Sequence, residues 1–293
     1  MANYRTESLK KRGDWLAKPA PAKLNLFLHI TGRRDDGMHN LQTLFQFIDY
    51  SDKIAARCRQ DGVISLQDDV LDICVEDNLV MRAAKLLQQA SQTELGADIR
   101  LDKRLPAGGG LGGGSSDAAT TLVILNELWQ CGLSQQQLAD IGLELGADVP
   151  IFVHGQAAWA EGVGEQFSPV ELPQPWYFVI QPNISVNTGE IFCASELTRD
   201  CPPITIRDFL AGHATNVCEP VVRQRYQEVD KALNWLGNHA EARMTGTGSC
   251  IFAAFDSEQQ AKTVQAELPE NWNSFIAQGC NQSPLYRSDA AES

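Results

Sequence analysis

From residue 24 the chain alternates. Leu24, Leu26, Leu28 and Ile30 fall on one side, Asn25, Phe27, His29 and Thr31 on the other, and Gly32 stops the pattern. A period of two predicts a strand. The polar residues 1–23 read as a loose tail leading into it, with Lys23 at the strand's start. Residues 33–40 predict a polar turn and 44–56 a second strand region. The period then changes. Leu79, Ala83, Leu86, Leu87 and Ala90 share one helical face, and Asp77 is the expected N-cap. A short alternating strand is expected over 97–101. After a glycine-rich run, Ala118, Ala119, Leu122, Leu125 and Trp129 repeat at helical spacing behind a cap at Ser115 or Ser116. Ser134 and Gln137 form a capping box for the next helix, which Gly146 ends. The apolar run 151–154 reads as a strand.

Composition shifts near residues 155–164. Beyond them, 176–181 predicts a strand, 217–236 reads as mainly helical, and 242–249 forms a second small-residue loop feeding a strand at 250–255. Ser257 with Gln260 caps one more helix, 275–277 closes the core, and residues after Tyr286 are expected to fray. This order gives an α+β fold in two domains, 1–160 and 161–293. The chain shows no internal repeat.

Of its 293 residues, 43% are hydrophobic, an ordinary globular value. No apolar run approaches the ~18 residues of a membrane span, and the N-terminal stretch lacks the apolar core of a signal peptide. No two of the eight cysteines are spaced as a CxxC pair. Reduced thiols and a cytoplasmic location are expected, with neither disulfides nor zinc. The net charge of −13 argues against nucleic acid as a partner. A phosphate ligand must therefore be met locally, by backbone N–H groups, a helix dipole, a few placed lysines and Mg²⁺.

The run Pro106, Ala107, Gly108, Gly109, Gly110, Leu111, Gly112, Gly113, Gly114, Ser115, Ser116 offers that. Glycine brings backbone N–H groups close to a ligand, and the following helix adds the positive end of its dipole. A flexible linker is the plain alternative. The strand before the run and the amphipathic helix after it argue against that. A Walker A loop needs a Lys after its last glycine, and here Ser115 follows. Gly108, Gly110 and Gly113 match GxGxxG, but a second helix follows where a dinucleotide fold needs a strand. Protein-kinase catalytic motifs are missing.

The run, with Asp117-Ala118-Ala119 after it, resembles the central motif of the GHMP kinases, the family of galactose, homoserine, mevalonate and phosphomevalonate kinases. Pro21-Ala22-Lys23-Leu24-Asn25-Leu26 resembles the family's N-terminal motif, and Thr245-Gly246-Thr247-Gly248-Ser249-Cys250 its C-terminal one. The resemblance runs from about residue 18 to about residue 287. It implies a two-domain GHMP kinase fold with the active site in the cleft between the domains, and ATP with Mg²⁺ as the phosphate donor. Within the family, the segments 21–34, 41–46, 103–106 and 145–150 are most similar to members whose small-molecule substrate is a cytidine diphosphate sugar alcohol. Other members, acting on homoserine or mevalonate, are the nearest alternative. A dinucleotide-binding oxidoreductase and a non-catalytic nucleotide binder are the rivals from other classes.

Phosphoryl transfer to an alcohol needs a positioned hydroxyl, a proton acceptor and stabilised γ-phosphate charge. Asp148, behind a helix end and just before Pro150, suits the acceptor, although a turn Asp bonded to its own backbone reads equally simply. The resemblance implies that it is the base, with Lys23 beside it. Ser115 and Ser116 fit phosphate or Mg²⁺ contact, or capping alone. No protein ligand to Mg²⁺ is assigned. The resemblance suggests Asn78 and Lys103 on the adenine side, where an N-terminal helix residue and an exposed strand lysine are the simpler readings. It places Asn25 and His39 at a cytosine-like edge, Phe192 as a stacking face and Thr188 as a polar contact. Met38 departs from the pattern, since such kinases usually carry Tyr there. Thioether replaces ring on that side of the base.

Overall fold

The computed structural model describes residues 14–35, 37–67 and 77–287. The first half runs β1 (Leu16–Arg33), β2 (His39–Arg59), β3 (Ile64–Gln67), α1 (Leu79–Ser91), β4 (Gly96–Asp102), α2 (Gly113–Leu128), α3 (Gln135–Leu143) and α4 (Val149–His154). The second runs β5 (Ala158–Glu161), β6 (Gln166–Pro169), β7 (Trp176–Gln181), α5 (Thr188–Phe192), α6 (Ile206–Leu210), α7 (Glu219–Arg225), α8 (Gln227–Gly237), β8 (Arg243–Met244), β9 (Ile251–Phe255), α9 (Glu258–Gln265) and β10 (Asn273–Cys280). The strands join in the order β3-β4-β2-β10-β7-β9-β8, with β1 and the β5–β6 hairpin also on β2. Among the named strands of the described residues, only β3 and β4 pair in parallel.

Two helical layers cover this sheet. Beneath α1, α2, α3 and α4, Phe47, Ile54, Leu87, Ile99, Leu122 and Phe152 form one core. Beneath α7, α8 and α9, Phe178, Ile180, Val222, Leu233 and Ile251 form another. A third cluster, with Leu24, Phe27, Val179 and Phe252, joins β1 to β7 and β9. The halves meet where Gly279 and Cys280 of β10 pair with Ile48 and Phe47 of β2. The β5–β6 hairpin spans residue 160 and pairs through β5 with β2.

The alternating pattern is one long strand, but both its faces are buried. Leu24, Leu28 and Ile30 enter apolar cores, while Lys23 and Asn25 are held inside by polar partners. The strand begins at Leu16, seven positions before Lys23, so the expected tail is partly strand and Lys23 lies in its interior. The reason is pairing: Leu16 to Pro21 match Ala56 to Ser51 on β2, where register outweighs polar composition. Residues 1–13 and 288–293, including the expected C-terminal fraying, lie outside the described residues, as does Cys74.

Five local expectations are corrected or refined. Asn78, not Asp77, caps α1, its Oδ1 accepting from the Val80 N–H at 2.9 Å. Ala90, in the last turn of α1, is exposed. Neither Ser115 nor Ser116 caps α2, which begins at Gly113 behind a left-handed Gly112. Residues 151–154 are helical: Pro150 sits in the first turn of α4, where its missing N–H costs nothing, and Gly155 stops the helix in the left-handed region. The helical stretch 217–236 is two helices broken at Tyr226, whose φ of −125° and ψ of 87° leave the helical region. The capping box at Ser134 and Gln137 and the Ser257 cap form as expected.

Candidate active site

The glycine run leaves β4 and turns into α2. Gly108, Gly110 and Gly112 have φ of 67°, 75° and 73°. At Gly110 a Cβ would strike the Thr245 carbonyl, and at Gly112 the Phe152 ring. These two positions therefore need glycine for space as well as for backbone angle. The loop is braced from the far end of the chain. Ser249 and Cys250 donate backbone N–H bonds to the Gly108 and Gly109 carbonyls at 3.2 and 3.1 Å. Thr245 Oγ1 donates to the Gly110 carbonyl at 3.2 Å and accepts the Asn25 N–H at 3.0 Å. Asn216 holds the bracing loop in turn, its Nδ2 donating to the Met244 and Gly246 carbonyls.

α2 opens on this loop with no side chain capping its N-terminus. Its first N–H groups and its dipole are thus left for a ligand of negative charge. They line a cavity of about 670 Å³, within the usual size of a small-molecule site. Residues 106–115 all line it. Ser116 does not: its hydroxyl is fully buried and has no hydrogen-bond partner among the described residues.

Lys23 and Asp148 meet at one side of the cavity. The ammonium lies 3.3 Å from Asp148 Oδ2. It also donates to Asn25 Oδ1 at 2.5 Å and to the Gly110 carbonyl at 3.1 Å. The lysine side chain is 3% exposed and the aspartate 39%. Asp148 is the residue before α4, yet its carboxylate makes no capping bond. The turn-Asp reading therefore fails, and the carboxylate faces the ammonium and the opening. Asn25 also lines the cavity. Its Oδ1 accepts from Lys23 and its Nδ2 donates to Thr43 Oγ1 at 2.9 Å.

A second lysine marks another side of the cavity. Lys103 is not the exposed strand residue of the simpler reading. It follows β4, is 12% exposed, and bridges Asp52 at 2.5 Å and Asp117 at 2.9 Å. Burial alone would lower its pKa, but the carboxylates of Asp117 and Asp52 outweigh that and leave it raised. Burial pushes the Asp117 carboxyl up to about 7 against the pull of Lys103, and Asp52 adds to the rise. Asp117 Oδ1 has no partner among the described residues. Asp52 is saturated, its Oδ1 taking the Arg104 and Leu105 N–H groups. Asn78 lines the cavity nearby while capping α1.

Phe192, at the end of α5, lines the cavity and stacks on His39, with ring centroids 5.4 Å apart at 29°. His39 opens β2 and is not itself among the lining residues. Thr188 lines the cavity and shares a hydroxyl contact of 2.9 Å with Thr247. Met38 is 49% exposed. Sequence reasoning missed Asp117, Asp52, Thr43, Asn216 and Arg199. Asp117 alone left a local signal, an acid just after a first helical turn built of Gly and Ser.

Among the described residues no helix is long and apolar enough to cross a membrane. Residues 78–156 match the family model described as "GHMP kinases N terminal domain", and 204–274 match "GHMP kinases C terminal". A 4-diphosphocytidyl-2-C-methyl-D-erythritol kinase of Nitrosococcus oceani is 59% identical over 267 residues, 91% of this chain and 95% of that one. A protein of the same name from Pseudomonas aeruginosa is 54% identical over 93% of this chain and 96% of its own. Among solved structures, a 4-(cytidine 5'-diphospho)-2C-methyl-D-erythritol kinase superposes with a TM-score of 0.77 at 29% identity, covering 90% of this chain and 99% of that one. The mevalonate kinase of Methanococcus jannaschii, at 16% identity over 93% and 100%, shares the fold with a TM-score of 0.68.

Proposed function

From the premise that this chain belongs to the GHMP kinase family, we propose that it transfers the γ-phosphoryl group of ATP to the 2-hydroxyl of 4-diphosphocytidyl-2-C-methyl-D-erythritol, giving the 2-phosphate and ADP. The observation that carries this reading is the Lys23–Asp148 pair, 3.3 Å apart beside a glycine loop that opens a helix. The names and identities of the relatives support the choice of substrate.

In this reading Asp148 accepts the proton of the substrate hydroxyl as its oxygen attacks the γ-phosphorus. ADP leaves from the opposite side. Lys23, fixed by Asn25 and Gly110, holds the carboxylate in place and draws charge from the developing alkoxide. Asn25 thereby acts through Lys23. The N–H groups at the start of α2 bind the phosphates. Among the described residues no cluster of three His, Cys, Asp or Glu side chains is set to hold a metal. The Ser115 hydroxyl, which lines the cavity at the start of α2, would be the group to hold Mg²⁺, and the ion would supply charge neutralisation on the phosphates. Lys103 and Asn78 take the adenine side. Phe192, His39 and Thr188 take the cytidine diphosphate side. The division into units 1–160 and 161–293, with this cleft between them, and a cytoplasmic location belong to the same proposal.

ADP release over a panel of alcohols tests it. Turnover is expected with the cytidylyl substrate and not with homoserine or mevalonate. Turnover with either simple alcohol in place of the cytidylyl substrate overturns the assignment. No ADP release with any of the three refutes the kinase reading.

A further inference from the structure

One arginine outside the family motifs is tied to both rings at the cytidine end. Arg199 lies in the loop after α5, in the run Leu197-Thr198-Arg199-Asp200. Its Nη2 donates to the Phe192 carbonyl at 2.8 Å and to the Ala194 carbonyl at 2.7 Å. Its Nη1 donates to the Leu197 carbonyl at 3.0 Å. The same guanidinium therefore holds the turn that carries the stacking Phe192. Its Nε–H points at His39 Nε2 at 3.1 Å, across 160 positions of sequence.

That last contact has one chemical solution. A guanidinium has five N–H donors and no acceptor. His39 Nε2 must then supply a lone pair, so its proton is absent. A doubly protonated ring would set two donors against each other and place positive charge beside Arg199 and Arg33, the charged groups that face it. Burial, then Arg199, then Arg33 hold the His39 pKa below its ordinary value. A neutral ring with its one proton on Nδ1 satisfies that contact. Among the described residues Nδ1 has no hydrogen-bond acceptor.

We propose that Arg199 is a positioning residue that locks His39 in its neutral Nδ1–H tautomer, so that the site meets the nucleobase of the substrate with a fixed donor. The proposal rests on the cytidylyl reading given above. A fixed donor fits a carbonyl oxygen or a bare ring nitrogen, and it is left unpaired opposite a ring N–H. An untethered neutral imidazole exchanges between both tautomers and offers either character. Arg199 thus converts a permissive ring into a selective one without itself reaching the substrate.

The tautomer is readable in the ligand-free full chain. With ¹⁵N-labelled histidine, the long-range ¹H–¹⁵N pattern of His39, assigned by its loss in His39→Gln, is expected to show Nδ1–H at pH 7. It should keep that pattern through the ordinary histidine range, near pH 6.5. An Nε2–H pattern, a rapid mixture or a protonated ring in the wild-type chain overturns the proposal. Arg199→Met retains the stem and removes the fork. It is expected to raise KM for the cytidylyl substrate about tenfold, the scale of one misdirected hydrogen bond, with kcat changed less than about threefold. Its His39 should show mixed tautomers and titrate higher. Arg199→Lys keeps the charge but not the fork, so it should keep His39 deprotonated and leave KM raised. Unchanged KM in a folded Arg199→Met also overturns the proposal. Should that variant not fold, the wild-type spectrum decides alone. A wrong tautomer with normal turnover sinks only this inference. Absent turnover with the cytidylyl alcohol sinks the function and leaves the spectrum standing.

Discussion

Two lysines flank the glycine loop, each beside carboxylate, and they differ in what closes them. Lys23 meets one carboxylate, Asp148, which remains 39% exposed. Lys103 meets two, Asp52 and Asp117, which are 0% and 4% exposed. At Lys23 the other partners are neutral oxygens, from Asn25 and Gly110. The first arrangement leaves a carboxylate with an open side, where a substrate proton can go. The second closes its charges among themselves and fastens β2, the loop's entry and α2 together. The same residue types thus serve chemistry or architecture according to whether the acid keeps an open side.

Substitution should separate the two. The largest expected effect is at the open pair. Asp148→Asn should lower kcat by about a hundredfold to ten-thousandfold and move the melting temperature little, since that carboxylate is part-exposed. Near-normal turnover would remove Asp148 from the chemistry. At the closed triad the loss should appear in stability instead. Lys103→Met leaves two buried carboxylates uncompensated, and denaturant unfolding should show a loss of about 3–5 kcal/mol. A variant as stable as wild type would end the contrast.

Asp117 sharpens it through pH. Its carboxyl titrates at 3.8 when unfolded and at about 7 in the folded chain. Below pH 3.8 the group is neutral in both states and carries no penalty. As pH rises from there to about 7, the unfolded chain ionises first and wild-type stability falls at this site. Asp117→Asn removes that slope. Its stability relative to wild type should climb through the window and be greatest above it, as unfolding at a series of pH values would reveal. A constant difference across pH would contradict the buried, unsatisfied acid. The smallest effect is expected at Asn78. Losing the cap in Asn78→Ala should cost about 1 kcal/mol, and Asn78→Ser should restore most of it. The KM for ATP should rise in both variants if Asn78 takes the adenine side as proposed, and an unchanged KM would leave it a cap alone.

Much of this was legible along the chain. Six glycines between a strand and an amphipathic helix announce the loop, and the period of two announces β1. Fold and family follow from three motifs in order. The misreadings share a cause. Residues 151–154 have the apolar run of a strand, and only Pro150 before them and Gly155 after them mark a helical turn. Asp77 and Asn78 are both cap formers, and a one-residue choice depends on where the helix packs. Lys103 reads as a surface lysine because its two acids lie 51 and 14 positions away. Arg199 left no signal at all: what it does depends on a histidine 160 positions earlier, at the start of β2.

The bracing of the loop also sets an order in time. The Gly110 carbonyl takes its hydrogen bond from Thr245, 135 positions later. At ordinary synthesis rates that stretch takes roughly 7 to 27 seconds to emerge. Throughout that interval the nascent chain carries every glycine of the loop but none of its far-end supports. The nucleotide-binding shape is thus a late event of biogenesis, assembled when the last strands arrive. A ribosome stalled before residue 245 should display a chain that holds Lys23 and Asp148 yet grips no nucleotide.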